Sequence, residues 1–278
     1  GGSGGIGAAT ALELAWSGAR VVLATRNAQR GEAAAQRIRT ETGNAEVRFM
    51  HLDLASLRSV RAFASSFLRQ EPHLHLLINN AAAVVSFAVV SAGGMTEDGF
   101  SLPFQVNHLG HFLLTQLLLK RLQSSAPSRI VIVASRAYCA GHLHLDTLGQ
   151  PPPGPLSTFQ DYCNSKLANV LHARELATRL QGTQVTCYAV HPGFVNTELF
   201  RYAPLWLKPL LIPLAWLFFC DAAEGAQTSL HCATAEDIER FSGRYFDDCH
   251  VQEPWPSARD DRLARALWET SERLVGLE

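Results

Sequence analysis

The sequence lacks an excess of charge, because its 24 Lys and Arg residues almost balance its 25 Asp and Glu residues. Without a broad basic field, binding to nucleic acid is not expected. The sequence also lacks a Cys-x-x-Cys pair, and its six cysteines are spread along 278 residues. This spacing favours reduced thiols over a disulfide framework or a zinc site, and a reducing compartment over an oxidising one.

Histidines are present, but a metal-ligand pattern is missing. His108, His111, His142, His144 and His191 have no carboxylate or thiol neighbours at a convincing ligand spacing. We therefore interpret these histidines as structural and expect no metal.

An apolar strand is missing in front of the first glycines, as are a methionine and a signal peptide. A phosphate-binding glycine loop normally follows a buried strand. We therefore expect this chain to be a fragment whose sheet lacks its first strand.

What the sequence does contain is an alternation of helical and strand-like segments. Helices are predicted over residues 8–17, 30–39, 57–69, 106–122 and 162–180. Strands are predicted over residues 19–24, 47–52, 74–78, 129–134 and 184–190. This order indicates an α/β fold, a Rossmann-type doubly wound parallel sheet flanked by helices. No linker divides the chain, so we expect a single dinucleotide-binding catalytic domain over residues 1–278.

Three features of the N-terminal part suggest a dinucleotide site. Gly1, Gly5 and Gly7 form a loop whose backbone N–H groups can approach a pyrophosphate, although glycine clusters are often only flexible ends. Arg26 ends the next strand, at a position where an acidic residue would favour NAD. An arginine there favours binding of the 2′-phosphate of NADP(H); the alternative is a solvated surface arginine. Asp53 is placed either to accept from the adenine amino group or to cap the following helix.

Tyr162 and Lys166 are four residues apart and therefore share one face of a predicted helix. A nearby positive charge lowers the pKa of a phenol, which suits it to proton transfer. Ser135 ends a buried strand, where its hydroxyl can bind a substrate oxygen or simply form a turn. The Tyr162–Lys166 pair and Ser135 are each a weak signal alone, but together they indicate acid–base chemistry on a carbonyl.

Taken in order, these motifs resemble the short-chain dehydrogenase/reductase superfamily, and within it the microsomal retinol dehydrogenase group. The shared segments are the glycine loop, Asn79-Asn80-Ala81-Ala82, Asn107, Ser135, Tyr162 with Lys166, and His191-Pro192-Gly193-Phe194-Val195-Asn196-Thr197. Segments typical of the retinol dehydrogenase group are residues 106–115, 162–170 and 242–249. The resemblance covers nearly the whole chain.

The resemblance implies a role for each matching residue. Asn107 would hold a water in a proton relay, Ser135 would orient the carbonyl, Tyr162 would exchange its proton, and Lys166 would lower the tyrosine pKa and bind the nicotinamide ribose. The implied cofactor-binding residues are Gly1, Ser3, Gly5, Ile6, Arg26, Asp53, Leu54, Asn80, Ala81, Tyr162, Lys166, Pro192, Gly193, Val195 and Thr197. One departure is Ala82, where the family has glycine, since an added Cβ could disturb the cofactor.

The apolar segment over residues 202–220 lies where the family places its substrate lid, so we expect a lid over residues 200–222. Its internal prolines and lysine argue against a membrane-spanning helix, whereas contact with a membrane surface fits; core or homodimer packing is the alternative. The resemblance implies hydride transfer between NADP(H) and a small lipophilic alcohol or aldehyde such as a retinoid, at the endoplasmic reticulum membrane facing the cytosol. Two rival hypotheses remain: a steroid or fatty-aldehyde reductase, and a non-catalytic protein that interacts at the membrane surface.

Overall fold

The computed structural model describes residues 1–83, 94–154, 157–193 and 222–277. The strands of this part of the chain are β1 (Val21–Thr25), β2 (Val47–His51), β3 (Leu76–Asn79), β4 (Ser128–Val133), β5 (Val185–His191), β6 (Tyr245–Asp247) and β7 (His250–Gln252). The α-helices are α1 (Gly5–Trp16), α2 (Ala28–Thr42), α3 (Leu57–Gln70), α4 (Leu102–Phe104), α5 (Gly110–Ser124), α6 (Ser157–Arg179), α7 (Ala222–Thr234) and α8 (Asp261–Leu274).

The described strands form two sheets rather than one. β1 pairs in parallel with β2, while β3, β4, β5 and β6 are parallel neighbours and β7 adds an antiparallel edge. The alternation of parallel strands and flanking helices confirms the predicted α/β fold. Among the described strands, β1 and β3 are not paired with each other.

Helices cover both faces of the larger sheet because its central strands are buried on both sides. Ile130 and Ile132 on β4 pack in one core with α5, α6 and α8, whereas Val131 and Val133 pack in a second core against α7. This alternation follows from the two-residue period of a strand. A sheet covered in this way presents the carboxyl ends of its strands as the open edge where ligands bind in such folds.

The helix predicted over residues 106–122 is wrong in its first part. A helical turn over Leu102–Phe104 is followed by a π-helix over Gln105–Leu109, and the α-helix starts at Gly110. Apolar spacing cannot separate these forms, because the 3.6-residue and wider turns place similar faces inward over a few residues. The sequence analysis also missed β6 and β7, whose three-residue length gives no apolar run.

The predicted lid over residues 200–222 lies outside the described residues, except for Ala222, which begins α7. Among the helices that the structure describes, none combines the length and the apolar character needed to cross a bilayer. The expected membrane contact of residues 202–220 therefore stays a prediction.

Candidate active site

Three of the predicted catalytic side chains meet at the carboxyl end of β4. Ser135 follows this strand, while Tyr162 and Lys166 lie on α6, which packs against β4 and β5. The Lys166 ammonium lies 5.7 Å from the centre of the Tyr162 ring. The four-residue spacing on a helix thus brings the phenol and the amine onto the same side.

Burial dominates the chemistry of Tyr162. It raises the pKa of the phenol, and a hydrogen bond with Ser135 opposes this rise. Lys166 is not among these causes, so the expected lowering of the phenol pKa by the lysine charge stays a prediction. The neighbouring hydroxyl of Ser135 is the group that favours the phenolate. Ser135 also accepts a hydrogen bond from the Ala137 backbone at 3.3 Å, so it serves the turn as well.

Lys166 is held in an apolar setting. Its Nζ donates to the carbonyl oxygen of Val133 at 3.0 Å, and its side chain is 1% exposed. Desolvation lowers the pKa of Lys166 to about 7. Since an ordinary lysine has a pKa near 10.4, Lys166 can lose its proton close to neutral pH.

Asn107 lies on the π-helix and is fully buried. Its Oδ1 accepts from the backbone nitrogen of Ala83 at 2.7 Å, and its Nδ2 donates to Ser165 Oγ at 2.9 Å. The side chain is thus bound by protein on both ends. The expected role of holding a relay water is not tested by these contacts and stays a prediction.

The glycine loop fits a pyrophosphate. Helix α1 begins at Gly5, and its N-cap Gly4 has no side chain to bind the free N–H groups of the first turn. A Cβ at either glycine would meet no atom within 4 Å, whereas one at Gly7 would lie 2.3 Å from the carbonyl oxygen of Gly1. Gly4 and Gly5 therefore leave the N-terminus of α1 open to an anion.

The loop also bridges the two sheets. The Gly1 amino group lies 3.4 Å from the carbonyl oxygen of Ala24 at the end of β1, and a Cβ at Gly1 would lie 2.8 Å from Cα of Ala81. Ser3 Oγ lies 3.4 Å from Thr25 Oγ1. The amide of Asn80 is beside the same loop, since a Cβ at Gly7 would lie 2.6 Å from its Nδ2.

Two residues proposed to bind the adenosine part lie at the ends of β1 and β2. Arg26 is exposed directly after β1. Asp53 Oδ1 accepts from the Ala55 backbone at 3.0 Å, and the cap of α3 is Ser56, so the alternative that Asp53 caps this helix is wrong. Leu54 is buried in the main core.

Ala82 fits its position in the protein. It is exposed, and it is not among the residues with a positive φ. Alanine therefore needs no left-handed backbone here, and its methyl group does not displace protein atoms.

The predicted nicotinamide segment is only partly described. Pro192 and Gly193 follow β5, with Gly193 at φ +81°, while Val195 and Thr197 lie outside the described residues. The buried His191 comes directly before them, and burial lowers its pKa to about 4, with Asp247 opposing.

Sequence reasoning missed Asp161, the neighbour of Tyr162. Its carboxylate is buried and accepts from Ser101 Oγ at 2.6 Å, which ties the start of α6 to the segment before the π-helix. Burial raises the pKa of Asp161 to about 6. Nothing in the sequence distinguishes this carboxylate from a surface one, because its burial depends on the fold.

Comparison with known proteins agrees with this geometry. The family model described as short chain dehydrogenase matches residues 1–147, more than half of the chain. Dehydrogenase/reductase SDR family member 13 of Bos taurus is 58% identical over 100% of this chain and 72% of its own length. Retinol dehydrogenase 12 of Homo sapiens is 50% identical over 98% of this chain and 84% of its own length. Retinol dehydrogenase 14 of Homo sapiens is 47% identical over 100% of this chain and 85% of its own length.

Solved structures share the fold. A crystal structure of a Mycobacterium paratuberculosis protein has a TM-score of 0.76 and 32% identity, covering 99% of this chain and 91% of that one. An NADPH-bound short chain oxidoreductase from Pseudomonas aeruginosa has a TM-score of 0.67 and 23% identity, and the match covers 89% of this chain and 92% of that one. With the family model and the relatives in agreement, the chain belongs to the short-chain dehydrogenase/reductase family, whose members are oxidoreductases.

Proposed function

We propose that this oxidoreductase transfers hydride between NADP(H) and a lipophilic alcohol or aldehyde, with a retinoid as the first candidate. The observation that carries the proposal is the group formed by Ser135, Tyr162 and Lys166 at the carboxyl end of β4. A phenol hydrogen-bonded to a serine hydroxyl, with an amine of lowered pKa nearby, is suited to exchanging a proton with a carbonyl oxygen.

In the direction of reduction, a nicotinamide cofactor, when bound, would supply the hydride that the carbonyl carbon accepts. Tyr162 donates its phenolic proton to the carbonyl oxygen, so that the products are an alcohol and the oxidised cofactor. Ser135 donates a hydrogen bond to the same oxygen as negative charge develops there. Lys166, with a pKa of about 7, returns a proton towards Tyr162. Oxidation of the alcohol runs these steps in reverse.

The proposal of NADP(H) over NAD(H) is supported by Arg26. Its exposed guanidinium lies directly after β1, the strand that follows the glycine loop and helix α1. A charge-assisted hydrogen bond from this guanidinium would favour a 2′-phosphate. The remaining predicted cofactor contacts, including Asp53, Leu54, Pro192 and Gly193, belong to the same proposal.

The substrate class rests on the relatives and on the sequence. Two relatives at 47% and 50% identity are named as retinol dehydrogenases, and retinol is a lipophilic alcohol. The apolar sequence of residues 202–220 supports a membrane surface as a partner. We propose that the protein acts at the endoplasmic reticulum membrane, with its catalytic domain facing the cytosol. We also propose that two copies of the chain form a homodimer.

The test is NADPH consumption by the full-length protein with retinal, a steroid ketone and a long-chain aldehyde, each also with NADH. We expect the highest kcat/KM with retinal and NADPH. A preference for the steroid or the long-chain aldehyde would overturn the retinoid assignment but keep the reaction. If no carbonyl compound were reduced and no alcohol oxidised, while NADPH still bound, the non-catalytic interaction protein would replace the proposal.

A further inference from the structure

A buried hydrogen-bond chain runs behind Tyr162. Ser165 Oγ donates to the carbonyl oxygen of Tyr162 at 2.7 Å and accepts from Asn107 Nδ2 at 2.9 Å. Asn107 Oδ1 accepts from the backbone nitrogen of Ala83 at 2.7 Å. Both Ser165 and Asn107 are fully buried. The backbone that carries the phenol is therefore tied to the segment after β3, which passes beside the glycine loop.

His111 extends this chain towards β3. Its Nδ1 lies 3.1 Å from the carbonyl oxygen of Asn107, and because a carbonyl only accepts, Nδ1 carries the proton in this bond. The carbonyl oxygen of His111 accepts from Thr115 Oγ1 at 2.8 Å, and that hydroxyl accepts from Asn79 Nδ2 at 2.9 Å. The chain of contacts is thus continuous from the last residue of β3 to Tyr162.

The charge state of His111 suits this role. Burial lowers its pKa to about 3, with the bond to Asn107 opposing and the nearby Lys166 lowering it further. The ring is therefore neutral at working pH, with one proton to place. The bond to Asn107 fixes that proton on Nδ1.

The bond from His111 falls on the π-helix over Gln105–Leu109. Such irregular turns are less regularly bonded than α-helices and are frequent at functional sites. A side-chain donor to the Asn107 carbonyl stabilises this turn and keeps the Asn107 amide directed at Ser165. The position of Tyr162 then depends on a side chain that does not touch it.

On the basis of the proposed function, we infer that His111 and Ser165 are positioning residues that set the place of the Tyr162 phenol relative to the bound cofactor. His111 acts through its Nδ1 donor to Asn107, and Ser165 acts through its bond to the Tyr162 carbonyl. Neither exchanges a proton with substrate.

The matched pair His111→Asn and His111→Gln tests which nitrogen matters, because an asparagine amide occupies the place of Nδ1 and a glutamine amide that of Nε2. In the full-length protein, we expect His111→Gln to lower kcat about 10-fold to 100-fold, the scale of a small misplacement of a catalytic group. We expect His111→Asn to keep most of the turnover. KM for the carbonyl compound and Kd for NADPH should change little in either variant.

Ser165→Ala and Ser165→Cys form the second pair, since cysteine keeps a weak donor at the same position on the side chain. We expect the alanine variant to lower kcat and to move the alkaline limb of the kcat profile, and the cysteine variant to restore part of both. The surface variant His73→Gln is the matched control for a histidine substitution and should behave as the parent protein.

Three results would overturn the inference. Equal losses in His111→Asn and His111→Gln would show that the histidine only fills space, and a greater loss in His111→Asn would assign the role to Nε2. The phenol can also be titrated by ultraviolet difference absorbance against Tyr162→Phe, which needs no turnover. A shift of that titration in His111→Gln but not in His111→Asn supports positioning even if the proposed reaction fails, and identical titrations refute it.

Discussion

The predicted cofactor residues of the N-terminal part and the catalytic residues of the central part differ in how they are held. Gly1, Gly5 and Arg26 are exposed, whereas Asn107 and Lys166 are buried. In the first region, the backbone of the glycine loop and the charge of Arg26 would bind the cofactor. In the second, Asn107 and Lys166 are held by hydrogen bonds to other segments of the chain. Substitutions in the first region should therefore change affinity, and those in the second should change turnover.

The largest expected effect is that of Tyr162→Phe in the catalytic region. This change removes the hydroxyl and keeps the ring, so we expect a loss of about a thousandfold or more in kcat, in the range of general acid catalysis. The Kd for NADPH should be nearly unchanged. Steady-state kinetics and a fluorescence titration measure the two quantities. Retained turnover would move the proton transfer to another residue.

Next comes Gly7→Ala in the cofactor region. The new Cβ would lie 2.3 Å from the Gly1 carbonyl oxygen and 2.6 Å from Asn80 Nδ2, so the loop must shift. We expect NADPH binding to weaken by about 100-fold, which corresponds to about 2.7 kcal/mol. The kcat at saturating NADPH should stay within a few-fold of the parent value, because the catalytic region is unchanged. A large fall in kcat with unchanged Kd would contradict it.

A smaller effect is expected for Arg26→Ala. Loss of a charge-assisted hydrogen bond, about 1.5–3 kcal/mol, should weaken NADPH about 10-fold or more while NADH changes little. Arg48→Ala on the neighbouring strand is the matched control, since Arg48 is also exposed. If NADH and NADPH were weakened equally, the assignment of the 2′-phosphate to Arg26 would be lost.

The smallest effect concerns pH and the buried histidines of the catalytic region. Burial lowers the pKa of His108 to about 3 and holds that of His172 well below its usual value. The fold therefore favours their neutral forms. Their stabilising contribution is present above the unfolded pKa, about 6.5, and is lost as the pH falls below it.

We expect the free energy of unfolding to fall by up to about 1.4 kcal/mol per pH unit for each of these histidines as the pH drops below about 6. His172→Phe should flatten this dependence, because phenylalanine cannot take up a proton. Thermal melts between pH 5 and 8 measure it. A slope unchanged by His172→Phe would show that other groups control acid stability.

The sequence predicted the parts of the site that depend on local spacing. Tyr162 and Lys166 share a helix face because four residues make about one turn, and β4 contains a run of four apolar residues, 130–133. It could not predict what depends on contacts between elements. The hydrogen bond from Ser101 to the buried Asp161 arises only when α6 packs against α4. The short strand β6 is likewise defined by its neighbour β5.

The π-helix over Gln105–Leu109 has a consequence for changes in chain length. A π-turn holds one residue more than an α-turn, and each helical residue corresponds to a rotation of about 100°. Deleting one residue here would convert the turn to α-helix and rotate Asn107 away from Ser165, while α5 beyond Gly110 kept its packing. The segment should therefore accept no single-residue deletion, so that among related sequences its length, together with the buried Asn107, marks the working site.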